Sequence, residues 1–203
     1  MVHAVDASAE QLAIARRALS DLPQVRFTQA RIEDAPLKAQ SVDWVYSRFL
    51  LMHVSNPAAA IAAMARMVAA DGALLLEVSD IGALRFVPCD DPAADLWRQW
   101  WFKLGRARGV AYDIFDRAAG LLTAAGFGIE RSDRFQPVST LSDAKTLPAL
   151  GFEQCVPGYL EHARANATDI ERHRAFLRRA ISDPGVAVEL FPTTQYLARS
   201  LPR

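Results

Sequence analysis

The sequence predicts an α/β fold, a doubly wound and mostly parallel sheet with helices on both faces. Three observations predict it. Short apolar runs alternate with segments of helical periodicity along the chain. Ala73 to Val78 is a near-continuous apolar run, the pattern of a parallel strand buried on both faces. Asp6, Arg31 to Glu33, Ser47 and Asp80 fall where such runs end, and ligands of open α/β sheets sit beyond the carboxyl ends of strands.

The elements follow in order. Val2 to Val5 is an apolar strand ending at Asp6. Ser8 is placed to cap the next helix with Gln11 reaching back to it, a capping box. Leu12, Ala15 and Leu19 mark one helical face, and Pro23 stops the helix. Gln24 to Thr28 and Ser41 to Ser47 are strands, separated by the charged loop Ala30 to Pro36. Asn56-Pro57 is a cap followed by a first-turn proline. Ile61, Met64 and Val68 line that helix, and Asp71-Gly72 ends it before the apolar strand. Residues 81–112 are irregular and aromatic; Asp113 to Ala125 is a helix ending at Gly126; Phe127 to Val138 is a longer strand. Residues 141–182 hold two or more helices, an insertion before the last strand, Val186 to Leu197, which Pro192 interrupts. The 203 residues form one domain, with 81–112 and 141–182 as additions on the substrate side.

Composition narrows the function. Twenty-three basic and 23 acidic residues cancel, whereas nucleic-acid binding usually leaves a basic surplus. No apolar run is long enough to span a bilayer, and the chain opens without a basic leader and apolar core. Cys89 and Cys155 are isolated and read as reduced structural thiols, which places the protein in the cytoplasm. No cluster of metal-ligand spacing is present. Abundant alanine, with arginine far outnumbering lysine, points to a GC-rich bacterial gene.

Four stretches, VHAVDASAEQLAIAR, RIEDAPL, SVDWVYSRFLLMHVSNP and AAMARMVAADGALLLEVSD, stand in an order that resembles the class I S-adenosylmethionine-dependent methyltransferases, the small-molecule branch with a Rossmann-like sheet. The resemblance implies S-adenosylmethionine as cofactor, a small-molecule acceptor, and neither nucleic acid nor membrane as partner. It places Asp6 on the cofactor ribose, and a carboxylate suits a diol because it accepts two hydrogen bonds at once. The alternative for Asp6 is a helix-capping acid. The resemblance puts Arg31, Ile32 and Glu33 around the adenine. Arg31 stands where the family often has an acid, which leaves Glu33 as the displaced acid or the loop as merely solvated. Ser47 and Arg48 face the cofactor's methionine end; Arg48 pairs with its carboxylate or, alternatively, with Asp80. His53 is the one candidate general base, with packing as its alternative. Trp100, Trp101 and Tyr112 are candidates for lining an acceptor site, against plain core packing. His162 and His173 read as surface residues.

In this family the strand ending in the ribose acid is the second. A first, central strand and its glycine-rich cofactor loop have no counterpart here, and no GxGxG occurs in the sequence. Losing that strand leaves its neighbours about 9–10 Å apart, twice the inter-strand spacing. Each unpaired buried backbone group costs about 1–3 kcal/mol. The expectation is a chain that is N-terminally incomplete, or repaired by another segment, or re-paired directly. Three functions follow: a methyltransferase impaired by the absent loop, a non-catalytic methyltransferase-like protein completed by a partner, and, less well matched, a nicotinamide-dependent enzyme. The open sheet interior invites pairing with a second copy as a homodimer.

Overall fold

The computed structural model describes residues 1–201. Strand β1 (Val2–Asp6), helix α1 (Ala9–Ala18) and strand β2 (Val25–Gln29) open the chain, followed by a 3-10 turn at Ile32–Asp34. β3 (Val42–Arg48), a 3-10 turn at Leu51–His53, α2 (Pro57–Met67) and β4 (Val68–Ser79) come next. Then β5 (Arg85–Val87), α3 (Leu96–Arg108), α4 (Ala118–Ala124), β6 (Phe127–Phe135) and β7 (Val138–Ser139) lead into α5 (Ser142–His162) and α6 (Ala167–Ser182). β8 (Ala187–Glu189) and β9 (Thr193–Ser200) finish it. The result is α/β with mixed sheets.

The strands form three sheets: β1-β2, β3-β4-β9-β6 and β5-β8-β7. β1 with β2 and β3 with β4 are parallel, as crossover helices require. β9 is antiparallel to both its neighbours. Among the described residues no strand lies between β1 and β3; each has a single hydrogen-bonded neighbour. Among the described residues, neither repair by another segment nor direct re-pairing of β1 with β3 is seen. Side chains hold the halves together instead: Val5 of β1, Val42 at the start of β3 and Ile32 pack on Ala63 and Met67 of α2.

Two larger cores stand behind this join. On one face of the four-stranded sheet, Leu74, Leu76, Val78 and Ala198 pack against Ile61 and Met64 of α2 and Leu122 of α4. The second core lies among α3, α5, α6 and the three-stranded sheet, with Trp100, Phe152, Tyr159 and Phe176 at its centre. Ile81 and Trp101 touch both. The helical insertion is therefore a packed layer with its own apolar interior.

Several expectations are corrected. Ser8 does cap α1, accepting from Gln11 N–H at 3.2 Å, but its own N–H goes to Asp6 Oδ1 at 2.7 Å rather than to Gln11. Asp71-Gly72 does not end α2: the helix stops at Met67 and both residues are in β4. Val68 already pairs with Val42 there, which pulls the chain extended. Residues 81–112 are less irregular than their aromatic content suggests, since α3 gives them thirteen helical residues closed by left-handed Gly109. The helix expected from Asp113 is a 3-10 turn and then α4. Phe127 to Val138 is two strands in different sheets, and Val186 to Leu197 is likewise split into β8 and β9. His173 is buried, at 2% exposure, and its Nδ1 lies 2.7 Å from the Ala93 carbonyl. Burial holds its pKa below the ordinary imidazole value against the pull of that carbonyl and of Asp95, Glu153 and Asp91.

Candidate functional site

β1 and β2 run in register, so Asp6 sits beside Gln29, and Ala30 N–H donates to the Asp6 carbonyl at 3.1 Å. Residues 31–33 leave the sheet from the same end. Asp6 is exposed. It uses Oδ1 on Ser8 N–H, and its second oxygen makes no hydrogen bond among the described residues. The contact at the helix start matches the capping alternative, and the second oxygen is left for another donor.

The turn after β2 divides its residues. Ile32 is half-buried and packs toward α2. Arg31 is exposed and reaches back to Glu33 Oε1 at 3.2 Å. Burial pushes the Glu33 carboxyl up, but its own backbone N–H and Arg31 outweigh burial and hold it below the usual range. Glu33 Oε2 is buried with no donor. Such an orphan acceptor costs about 1–3 kcal/mol unless something donates to it.

The second half of the site is at the end of β3. Ser47 is 7% exposed, on the same face as its register partner Leu76, and its Oγ is also buried without a partner. Arg48 points to the opposite face and pairs with Glu77, not Asp80, with Nε 3.5 Å from Oε2. Phe49 takes a left-handed backbone (φ 56°), and its ring lies under the Arg48 guanidinium at 4.7 Å. A phenylalanine is costly in that region of backbone space.

Glu77 is the residue that sequence reasoning missed. It is 7% exposed, and its Oε1 accepts from both Tyr46 Oη and Gln195 Nε2 at 3.0 Å. The visible signal was an acid inside the apolar run ALLLEVS. A buried carboxylate needs such partners, and here they tie β3, β4 and β9 together.

The aromatic candidates separate. Trp100 is 3% exposed and packs against Tyr159. Tyr112 is 5% exposed and lies between Gly105 and the ring of Trp101, stacked at 3.9 Å. Both rings belong to the core. Trp101 is half-buried, and its indole N–H is the third orphaned polar group among the described residues. His53 approaches Tyr112 edge-on at 6.4 Å. The residue is partly exposed. Partial burial of the ring, then Arg108, hold its pKa below the ordinary value, which keeps the imidazole neutral at physiological pH. Among the described residues there is no group of three or more metal-ligating side chains and no helix long and apolar enough to cross a membrane.

Residues 1–76 match a family model described as a methyltransferase domain. No curated protein matches the sequence. Solved structures align along nearly all of it. A protein of Bacillus halodurans C-125 assigned as a methyltransferase is 18% identical, with a TM-score of 0.64 over 99% of this chain and 83% of its own. A 4+2 cyclase is 15% identical with a TM-score of 0.58 over 98% of this chain and 66% of its own. Phosphoethanolamine N-methyltransferase 2 of Haemonchus contortus, solved with phosphomonomethylethanolamine and S-adenosylhomocysteine, is 14% identical. Its TM-score is 0.57 over 99% of this chain, which spans only 43% of that enzyme.

Proposed function

For a chain that has the class I methyltransferase fold and carries the methyltransferase-domain match over residues 1–76, we propose S-adenosylmethionine-dependent methyl transfer to a small-molecule acceptor. One observation carries the reading. The free oxygen of Asp6 and the orphaned Glu33 Oε2 and Ser47 Oγ all stand at or just past the carboxyl ends of β1, β2 and β3. That is where open α/β sheets take ligands.

These groups fit the adenosine half of the cofactor. Asp6 has an acceptor for a ribose hydroxyl. Glu33 offers an acceptor to the adenine amino group, and Ile32 supplies an apolar surface beside it. When bound, the cofactor supplies a methyl group on a good sulfonium leaving group. The work left to the chain is to align the acceptor and exclude water. Trp101 and the aromatic layer of α3 serve that end. Neutral His53 takes a proton from an acceptor that must lose one. The fit is poorer at the methionine end, since residues 1–201 hold no glycine-rich loop and Arg48 is already engaged by Glu77. The affinity is therefore low.

Calorimetric titration of the 203-residue chain with S-adenosylhomocysteine tests this. Saturable heat with a Kd of about 100 μM or weaker, roughly −5.5 kcal/mol, is expected, and none with a nicotinamide dinucleotide. Absence of heat at millimolar ligand overturns the enzyme reading. It favours the alternative of a non-catalytic methyltransferase-like protein completed by a partner, for which the unpaired edges of β1 and β3 speak.

A further inference from the structure

Asp80 stands just past the carboxyl end of β4, between the end of β3 and the start of β9. It heads the 3-10 turn Ile81–Ala83 in the capping position. An aspartate placed there ordinarily accepts from the first N–H groups of the turn. Asp80 does not. Its backbone carbonyl takes the Ala83 N–H at 3.2 Å and its own N–H donates to the Pro192 carbonyl at 3.1 Å, but its carboxylate makes no capping bond.

The polar groups nearby are engaged elsewhere. Ser79 Oγ and Thr193 Oγ1 satisfy each other at 2.6 Å. Arg98 of α3 reaches the same turn, yet it donates to the Gly82 carbonyl at 2.6 Å and pairs with Asp95 at 3.0 Å. Arg48 at the end of β3 pairs with Glu77.

What surrounds the carboxylate is apolar. Gly82 is buried, and a Cβ there would meet Phe102 Cζ at 2.7 Å and Asp80 Oδ1 at 3.3 Å. Its missing side chain lets the Phe102 ring and the carboxylate converge on one small space. Phe49, from the end of β3, and Phe191, next to Pro192, meet edge-on at 5.9 Å. Ile81 packs into both large cores. A half-buried carboxylate therefore stands where the carboxyl edge of the sheet meets the helical layer.

We propose that Asp80 holds a protonated amine of the methyl acceptor, so that the substrate class is small molecules with a primary or secondary ammonium group beside an apolar portion. A carboxylate that has lost part of its water recovers most from a cation bearing N–H donors. The neighbouring phenylalanines take the carbon skeleton. A carboxylate or phosphate on the acceptor would be repelled, and a neutral hydroxyl supplies a hydrogen bond without the charge. While protonated, the nitrogen has no lone pair, so it is the handle of the acceptor and not its attacking atom. Pairing of β3 with β4 puts this handle beside Ser47 and Arg48, the methionine end of the proposed cofactor site. The word acceptor rests on the methyl-transfer reading; the ammonium site does not.

Backbone amide NMR of the 203-residue chain at neutral pH, without S-adenosylhomocysteine, tests it with benzylammonium, benzyl alcohol and benzoate. Benzylammonium is expected to give saturable shifts at Asp80, Ile81, Gly82 and Phe102, and benzoate none. Benzyl alcohol is expected to bind about tenfold more weakly or worse, and the isosteric Asp80→Asn to weaken benzylammonium by about the same factor. The wild-type ranking of the three probes decides the matter even if the variant unfolds. No shift at Asp80 with benzylammonium overturns the proposal. So does equal binding of the alcohol, or an Asp80→Asn chain that is folded and keeps its affinity. If S-adenosylhomocysteine fails to bind while benzylammonium shifts Asp80, the methyl-transfer reading falls and the ammonium site stands; the reverse pair of results sinks the ammonium site alone.

Discussion

Asp6→Ala weakens S-adenosylhomocysteine binding by about tenfold to a hundredfold. A hydrogen bond to a charged group contributes about 1.5–3 kcal/mol, and each 1.4 kcal/mol is about a factor of ten. The substitution removes the carboxylate oxygen at the end of β1 that makes no hydrogen bond among the described residues. It also removes the acceptor of Ser8 N–H, so the start of α1 loosens. Asp6→Asn separates the two effects, since its amide oxygen still accepts from Ser8. Asp6→Asn is expected to keep the melting temperature of the wild type and to lose only part of the affinity. Calorimetry on the three proteins reads the outcome. Unchanged affinity in Asp6→Ala would leave the residue as a helix cap and nothing more.

Gly72→Ala has the largest expected effect on stability. A Cβ there would lie 2.6 Å from the Asp43 carbonyl oxygen and 2.9 Å from Val68 Cγ1. The first obstacle is backbone of β3, which cannot yield without opening the β3–β4 ladder where its register already shifts between Val42 and Trp44. Overpacking of this kind costs about 3 kcal/mol. For a chain of this length that lowers Tm by roughly 6–12 °C. Gly120→Ala in α4 is the control, because nothing lies within 4 Å of its Cβ. That change replaces a helical glycine and adds about 0.5–1 kcal/mol of stability. A thermal melt in which the two variants behave alike would contradict the packing described for β4.

Gly72 also shows where sequence reasoning gives out. Asp-Gly after a helical stripe is a sound stop signal, and here it falls inside a strand, because Val68 is held by Val42 from 26 residues earlier. Local patterns reveal element type; partners far along the chain decide boundaries. The same limit split Phe127 to Val138. Gln136 and Pro137 bind Leu190, which turns Val138 away from β9 and into the small sheet. By contrast, Ser8, Asn56-Pro57 and the apolar run of β4 carry their structure within a few residues and were legible.

The site was legible in part for the same reason. Asp6, Ile32, Glu33 and Ser47 mark strand ends, and strand ends can be found by pattern. The orphaned oxygens of Glu33 and Ser47 cannot be, since their burial comes from elements distant in sequence. Arg48 was placed at the right end of its strand, but the choice of Glu77 over Asp80 depended on side-chain direction. Asp80 lies just past the end of β4, whereas Glu77 shares the face of Arg48 through the register of β3 with β4. His173 had a signal that its charged neighbours masked: with Ile170, Phe176 and Leu177 it forms one buried helical stripe.

The central claim is that the ends of β1, β2 and β3 form one cofactor site although, among the described residues, no strand joins β1 to β3. Backbone amide NMR of the 203-residue chain during titration with S-adenosylhomocysteine tests it most directly. The account predicts saturable shifts at Asp6, at Ile32 and Glu33, and at Ser47 with a single Kd. Shifts confined to one of the half-sheets, or centred away from these strand ends, would contradict it.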